Sequence, residues 1–208
     1  MFEEVISKEM IDVVSELQPH LTLFYLAGGT GLSLQLCHRK SIDLDFFSLI
    51  DFESDELLMK IKPDKLYTVR TDIIHCEKSG AKLSFIYYPT PLIHQPALWR
   101  GLQVADWRDI AAEKMKVISQ RGSKKDFYDL FAVIKLKSGI SNVCDDFKKR
   151  FSSTQINLYH VLKSLVFFDD AENDPLPNIL ISDEAWRWEN VKSFYTMNVH
   201  QFEMDLFK

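Results

Sequence analysis

The chain has 208 residues with a net charge of −5, a pI near 5.7 and 46% hydrophobic residues. This composition suits the core of one domain, or a compact core with a helical extension, and excludes a global attraction to nucleic acid, so an RNA contact needs a local basic patch. Cys37, Cys76 and Cys144 are too few and too widely spaced for a disulfide framework or a Cys-x-x-Cys zinc site.

The N-terminal segment does not resemble a secretory signal peptide. Met1-Phe2-Glu3-Glu4 is acidic where a signal peptide is basic. No apolar run approaches the roughly 18 residues that a membrane span requires. We therefore expect a cytoplasmic protein with no membrane partner.

The first predicted elements surround a pair of glycines. Helical spacing of apolar residues predicts a helix over residues 3–18, and residues 23–27 form a predicted buried strand. That strand stops at Gly28 and Gly29, which allow a ligand to approach the backbone closely. Thr30 can cap the helix that follows. The amides at the start of this helix favour an anion, so the turn predicts a phosphate site.

A second strand, residues 42–47, carries two aspartates. Because side chains alternate along a strand, Asp43 and Asp45 point to one face while Ile42 and Leu44 point to the other. A hard cation that prefers oxygen ligands relieves the repulsion between two such carboxylates. The strand therefore predicts a site for Mg²⁺, or Mn²⁺, at Asp43 and Asp45. On an edge strand the same pair would more often be a solvated face.

The remaining elements predict an α+β fold. They are a helix over 51–62, a hairpin of strands 66–75 and 82–88, a short strand at 102–105, a helix over 106–121 and further helices. This order predicts a small mixed β-sheet flanked by helices in residues 1–105. A helical region, residues 106–208, follows and would complete the active site.

The first two helices of the C-terminal region carry charges on their apolar sides. Lys114 and Arg121 fall within the apolar arc of the first helix, and a buried cation needs an anionic partner. Asp126 and Asp129 lie on the core-facing side of the second helix. The group is either an internal salt-bridge cluster or part of a substrate site. Asp126, three residues after Ser123, could simply serve the helix start.

These motifs resemble the nucleotidyltransferase superfamily, whose signature is Gly-Gly or Gly-Ser, a short helix and Asp-x-Asp on the next strand. The narrower resemblance, over about residues 20–190, is to the AbiEii/AbiGii toxin family of bacterial nucleotidyltransferases. It is densest at Gly28-Gly29-Thr30, at Asp43-Leu44-Asp45 and at Lys125-Asp126-Phe127-Tyr128-Asp129-Leu130.

The resemblance implies a metal-dependent transfer of a nucleoside monophosphate from an NTP to an acceptor hydroxyl, with tRNA or another RNA as a candidate acceptor and a cognate antitoxin as a candidate partner. It implies that Lys114 and Asp129 join Asp43 and Asp45 as catalytic residues. The candidate nucleotide contacts are Gly28, Gly29, Thr30, Ser41 and Arg121. Basic residues that could line an RNA groove, or simply be solvated, are Arg39, Lys40, Lys124, Lys125, Lys148, Lys149 and Arg150.

One residue departs from the superfamily pattern. The superfamily often places a third metal-binding carboxylate on the returning strand of the hairpin, where this chain has Ser84. Either Asp129 or water completes the metal site, or one ion alone binds tightly. Two alternatives therefore stay open: phosphotransfer to a small molecule on the same fold, and a non-catalytic protein that binds a nucleotide or a partner.

Overall fold

The structure, a computed structural model, describes residues Met1–Lys208 and divides into two compact units, Met1–Asp106 and Trp107–Lys208. The first unit contains one mixed β-sheet with helices, and the second is helical. None of the helices combines the length and the apolar character needed to cross a lipid bilayer.

Seven strands and three α-helices build the first unit. In chain order they are α1 (Lys8–Leu17), β1 (Phe24–Leu26), α2 (Gly28–Leu36), β2 (Asp43–Ser48), α3 (Ser54–Ile61), β3 (Lys65–Val69), β4 (Ile73–Lys78), β5 (Ala81–Tyr87), β6 (Ala97–Trp99) and β7 (Leu102–Val104). The strand order in the sheet is β3-β4-β5-β2-β1-β7-β6. The pairs β2–β5 and β1–β7 are parallel, and the other pairs are antiparallel. The Asp-x-Asp strand β2 is therefore central, not an edge strand.

The core of this unit lies on one face of the sheet. Leu44 and Phe46 of β2 are fully buried there, and the ring of Phe46 stacks on that of Phe85 with 5.2 Å between the centroids. The amphipathic helix α1 joins the same core through Val13 and Val14. Because alternate residues face opposite ways, Asp43 and Asp45 lie on the half-exposed face.

Two predictions for this unit are wrong in detail. The predicted strand over 66–75 is two antiparallel strands, because the chain reverses after Val69 and the amide of Arg70 donates to the carbonyl of Ile73 at 2.8 Å. Ile42 lies outside β2 and is 71% exposed, so it does not join the apolar side of that strand. Strand β6 was not predicted, since three residues carry too little periodicity to be recognised.

The second unit contains seven α-helices. They are α4 (Trp107–Ile118), α5 (Lys124–Leu136), α6 (Ile140–Arg150), α7 (Leu158–Ser164), α8 (Asp169–Glu172), α9 (Trp188–Met197) and α10 (Val199–Phe207). Helix α5 lies in the core, where Phe127 contacts the aromatic rings of Trp188 and Tyr195. The buried Tyr195 hydroxyl donates to the Phe127 carbonyl at 2.8 Å, so the polar end of that ring is satisfied.

Candidate functional site

The glycine turn and the Asp-x-Asp strand lie against each other. Gly28 adopts a left-handed conformation with φ of +60°, and a Cβ at this position would lie 2.7 Å from Asp45 Oδ2. The amide of Ala27 donates to the Asp45 carbonyl at 3.0 Å. Gly28 is therefore needed both for its backbone angle and for the space that the Asp45 carboxylate occupies.

Thr30 and Ser41 support this site from inside the protein. The prediction that Thr30 caps α2 is wrong, because α2 begins at Gly28 and the residue in the cap position is Ala27. Both hydroxyls are buried and 2.7 Å apart, and Thr30 also donates to the carbonyl of Asp43. Their side chains therefore fix the start of β2 to α2, which positions Asp43.

The half-exposed face of the sheet carries two polar rows beside the glycine turn. In the first row Asp45 of β2 pairs with Ser84 of β5, and Ser84 pairs with His75 of β4. In the second, Asp43 pairs with Lys82, which pairs in turn with Glu77. The aspartates thus share one face with a hydroxyl, an imidazole and an ammonium group. Gly29 follows Gly28 in the first turn of α2.

The two aspartates provide oxygen ligands that suit a divalent cation. No group of three or more His, Cys, Asp or Glu side chains in the structure could hold a metal ion. Mg²⁺ characteristically binds to one or two carboxylates and takes its other ligands from water and substrate phosphates. A pair of half-exposed carboxylates beside a helix start therefore fits such an ion, with its remaining positions open to a phosphate.

The predicted charges of the second unit come together between α4 and α5. Lys114 Nζ lies 2.6 Å from Asp126 Oδ1 and 2.6 Å from Asp129 Oδ2, and both carboxylate side chains are fully buried. Ser123 precedes α5, but its hydroxyl donates to the Asp126 carboxylate and does not cap a backbone amide. These contacts join two consecutive helices through a buried ion-pair cluster.

Arg121 occupies the outer end of this cluster. Its side chain is 60% exposed and its Nε lies 3.3 Å from Asp126 Oδ2. The prediction that it points into the interior is wrong, because α4 ends at Ile118 and the helical arc no longer applies three residues later. Burial raises the pKa of Asp126, but the charges of Lys114 and Arg121 outweigh this effect and hold that pKa below its ordinary value. The carboxylate is therefore ionised at neutral pH.

Sequence reasoning missed His75 and Lys82 as neighbours of the aspartates. The sequence signal is the turn at Ser79-Gly80, where both residues have positive φ as a two-residue hairpin turn requires. That turn sets the register that pairs His75 with Ser84. The predicted strand over residues 66–75 ended before this turn, whereas β4 continues to Lys78, so the prediction did not give this register.

The close approach of Gly28 to Asp45 predicts a specific effect of Gly28→Ala. The reference is Gly80→Ala, where φ is +79° and nothing lies within 4 Å of the added Cβ, so that it measures backbone strain alone. Gly28→Ala must also rotate the Asp45 side chain, and we expect it to lower the free energy of unfolding by about 0.5–1.5 kcal/mol more than Gly80→Ala. Urea unfolding of both variants measures the difference. Equal losses would show that the Asp45 carboxylate does not occupy this space.

Solved structures share this fold. The chain is similar to JHP933 from Helicobacter pylori, with a TM-score of 0.56, 19% identity and coverage of 98% of this chain and 95% of the other. It is similar to MenT4, a nucleotidyltransferase toxin from Mycobacterium tuberculosis, with a TM-score of 0.55, 16% identity and coverage of 95% and 90%. An H. pylori protein inferred to be a nucleotidyltransferase matches with a TM-score of 0.55, 16% identity and coverage of 95% and 94%. The predicted α+β, nucleotidyltransferase-like fold is thereby confirmed.

The sequence has a relative at much higher identity. No protein-family model matches the chain. The uncharacterized protein aq_aa25 from Aquifex aeolicus is 35% identical over 188 residues, which cover 86% of this chain and 87% of the relative. At this identity and coverage, the chain belongs to the same protein family as aq_aa25.

Proposed function

We propose that this protein is a metal-dependent nucleotidyltransferase that transfers a nucleoside monophosphate from an NTP to an acceptor hydroxyl. The observation that carries the proposal is the position of Asp43 and Asp45 on one half-exposed face of a central strand, with Asp45 packed over the Gly28 turn. The fold shared with MenT4, which is a nucleotidyltransferase toxin, is in keeping with this chemistry.

The residues of the first unit provide the parts that the reaction requires. Asp43 and Asp45 would hold the metal ion, which when bound neutralises the triphosphate and orients it. The amides of Gly29 and Thr30 at the start of α2 are suited to contact the β- and γ-phosphates. The acceptor oxygen forms a bond to the α-phosphorus while the bond from that phosphorus to the β-phosphate breaks, and pyrophosphate leaves.

Roles for the second unit rest on the resemblance to the AbiEii/AbiGii family. We propose that Lys114 stabilises negative charge that develops during transfer and that Asp129, 2.6 Å from its Nζ, orients it. The exposed guanidinium of Arg121 is suited to a phosphate contact. The ion-pair cluster alone would also account for the burial of Lys114, so its catalytic role needs a readout separate from stability.

We propose that the acceptor is RNA, with tRNA as the first candidate. We also propose that the protein is a toxin with a cognate antitoxin as its partner, and the fold that it shares with MenT4, a nucleotidyltransferase toxin, supports this role. The basic residues are less available for RNA than the sequence suggests, because Arg39, Lys124 and Arg150 are buried. Lys124 donates to the carbonyls of Glu172 and Asp174, and Arg150 pairs with Asp109.

A labelling experiment tests the proposal. The full chain is incubated with Mg²⁺, each NTP labelled at its α-phosphate, and either total bacterial RNA or a panel of small hydroxylated molecules such as aminoglycosides. We expect label on RNA, with none in the presence of a chelator. Label on a small molecule alone would favour the alternative acceptor class. Mg²⁺-dependent NTP binding in calorimetry without any labelled product would favour a binding protein.

A further inference from the structure

The site face of the sheet offers an imidazole close to the position where a third carboxylate was expected. Ser84 pairs directly with Asp45 across the parallel strands β2 and β5, and His75 pairs with Ser84 from β4. His75 Nδ1 lies 3.1 Å from Ser84 Oγ. The three side chains therefore form a continuous row of Asp45, Ser84 and His75.

The row orients the imidazole and leaves one of its nitrogens open. His75 and Ser84 are both partly exposed, while their strand neighbours Ile74 and Phe85 are fully buried in the core. The other ring nitrogen of His75, Nε2, makes no hydrogen bond within the protein. When Nδ1–H donates to Ser84 Oγ, Nε2 carries the lone pair that a general base requires.

Asp45 and His75 lie two strands apart on the same face of the sheet, with Ser84 between them. β4 and β2 are separated by one strand, so their backbones lie about 10 Å apart at neighbouring-strand spacings of roughly 4.8 Å. An aspartate and a histidine that project from the same face can both reach an atom held between them. Since Ser84 is small, its side chain does not fill this gap.

Other groups on this face are less suited to accept a proton. Glu77 binds Lys65 at 2.7 Å and Tyr67 at 2.6 Å, and these two contacts hold its pKa below the ordinary value, although burial acts in the opposite direction. Histidine is the residue type in the two polar rows that most often acts as a general base in enzymes.

We propose that His75 is the general base that activates the acceptor hydroxyl in this protein, in place of a third carboxylate, and that Ser84 positions its ring. This role rests on the proposed nucleotidyl transfer. The acceptor O–H proton moves to His75 Nε2 as the acceptor oxygen bonds to the α-phosphorus. The bond to the β-phosphate breaks, and its electron pair leaves with pyrophosphate, so charge and atoms balance.

The test is His75→Ala in the full chain, with His20→Ala as the matched control, because His20 is exposed and lies outside this face. We expect His75→Ala to lower kcat by about 100-fold or more. The affinity of His75→Ala for NTP in the presence of Mg²⁺, measured by calorimetry, should stay at the wild-type value. Added imidazole should restore part of the kcat of His75→Ala and leave Asp43→Asn inactive. Thermal unfolding of each variant checks that the fold is retained.

The outcomes separate this inference from the proposed function. If the wild-type protein transfers nucleotide and Asp43→Asn does not, the proposed function stands. A His75→Ala kcat equal to that of the wild type would then overturn the role of His75 alone. The role of His75 would also be overturned by a loss of kcat that imidazole does not restore, or by a loss of kcat accompanied by a loss of NTP affinity. Absence of transfer by the wild-type protein would overturn both.

Discussion

Replacing Asp43 or Asp45 with asparagine is expected to lower kcat for nucleotidyl transfer by at least about 100-fold. Asparagine keeps the shape of the side chain and removes its negative charge. Both aspartates are half-exposed, and their strand is held by Leu44 and Phe46 in the core, so the fold should be retained. The measurement is the rate of transfer with saturating Mg²⁺ and NTP, beside calorimetry of Mg²⁺-dependent NTP binding.

Asp55→Asn is the matched control for these variants. Asp55 is an exposed carboxylate in the first turn of α3, so its replacement removes the same charge away from the site. We expect wild-type transfer from it. Wild-type rates from Asp43→Asn or Asp45→Asn, measured beside this control, would exclude the assignment of these two residues to a metal ion.

Replacing Lys114 with methionine is expected to lower the free energy of unfolding of the helical unit by about 3–5 kcal/mol. Methionine fills similar space but leaves the fully buried carboxylates of Asp126 and Asp129 without the cation that lies 2.6 Å from each. Like charges in a buried site repel each other, and the guanidinium of Arg121 beside Asp126 is 60% exposed, so that water screens its charge. Urea unfolding followed by far-UV circular dichroism measures the change.

Two further variants separate this effect from a general loss of charge. Lys137→Met changes an exposed lysine at the end of α5 and should have little effect on stability. Adding Asp126→Asn and Asp129→Asn to Lys114→Met removes the uncompensated charges and should recover part of the lost free energy. A Lys114→Met protein as stable as Lys137→Met would contradict the cluster as a source of stability.

Local sequence signals predicted the features that depend on local geometry. A glycine pair, a short helix and two aspartates at alternate positions place a flexible turn beside a strand with one polar face, whatever else the chain does. The structure has this alternation, with Asp43 and Asp45 half-exposed and Leu44 buried. Helical periodicity likewise predicted that Lys114, Asp126 and Asp129 lie on inward faces, and the three meet there.

The features that were missed depend on chain reversals and on where helices end. The reversal after Val69 carries neither glycine nor proline, so the sequence gives little warning that one strand becomes two. The inward direction predicted for the Arg121 side chain assumed that α4 continues to this residue, but the helix ends at Ile118. The row of Asp45, Ser84 and His75 spans three strands, and no local turn in the sequence sets the register of the parallel pair β2 and β5.

The most direct test compares the fate of the α-phosphate of an NTP with that of its γ-phosphate. The full chain, Mg²⁺ and total bacterial RNA are incubated in parallel with an NTP labelled at the α-phosphate and with the same NTP labelled at the γ-phosphate. Nucleotidyl transfer predicts that the α-label appears on the acceptor, that the γ-label appears in pyrophosphate, and that Asp43→Asn gives neither product. A γ-label on the acceptor, or no labelled product from the wild-type protein with any NTP, would contradict it.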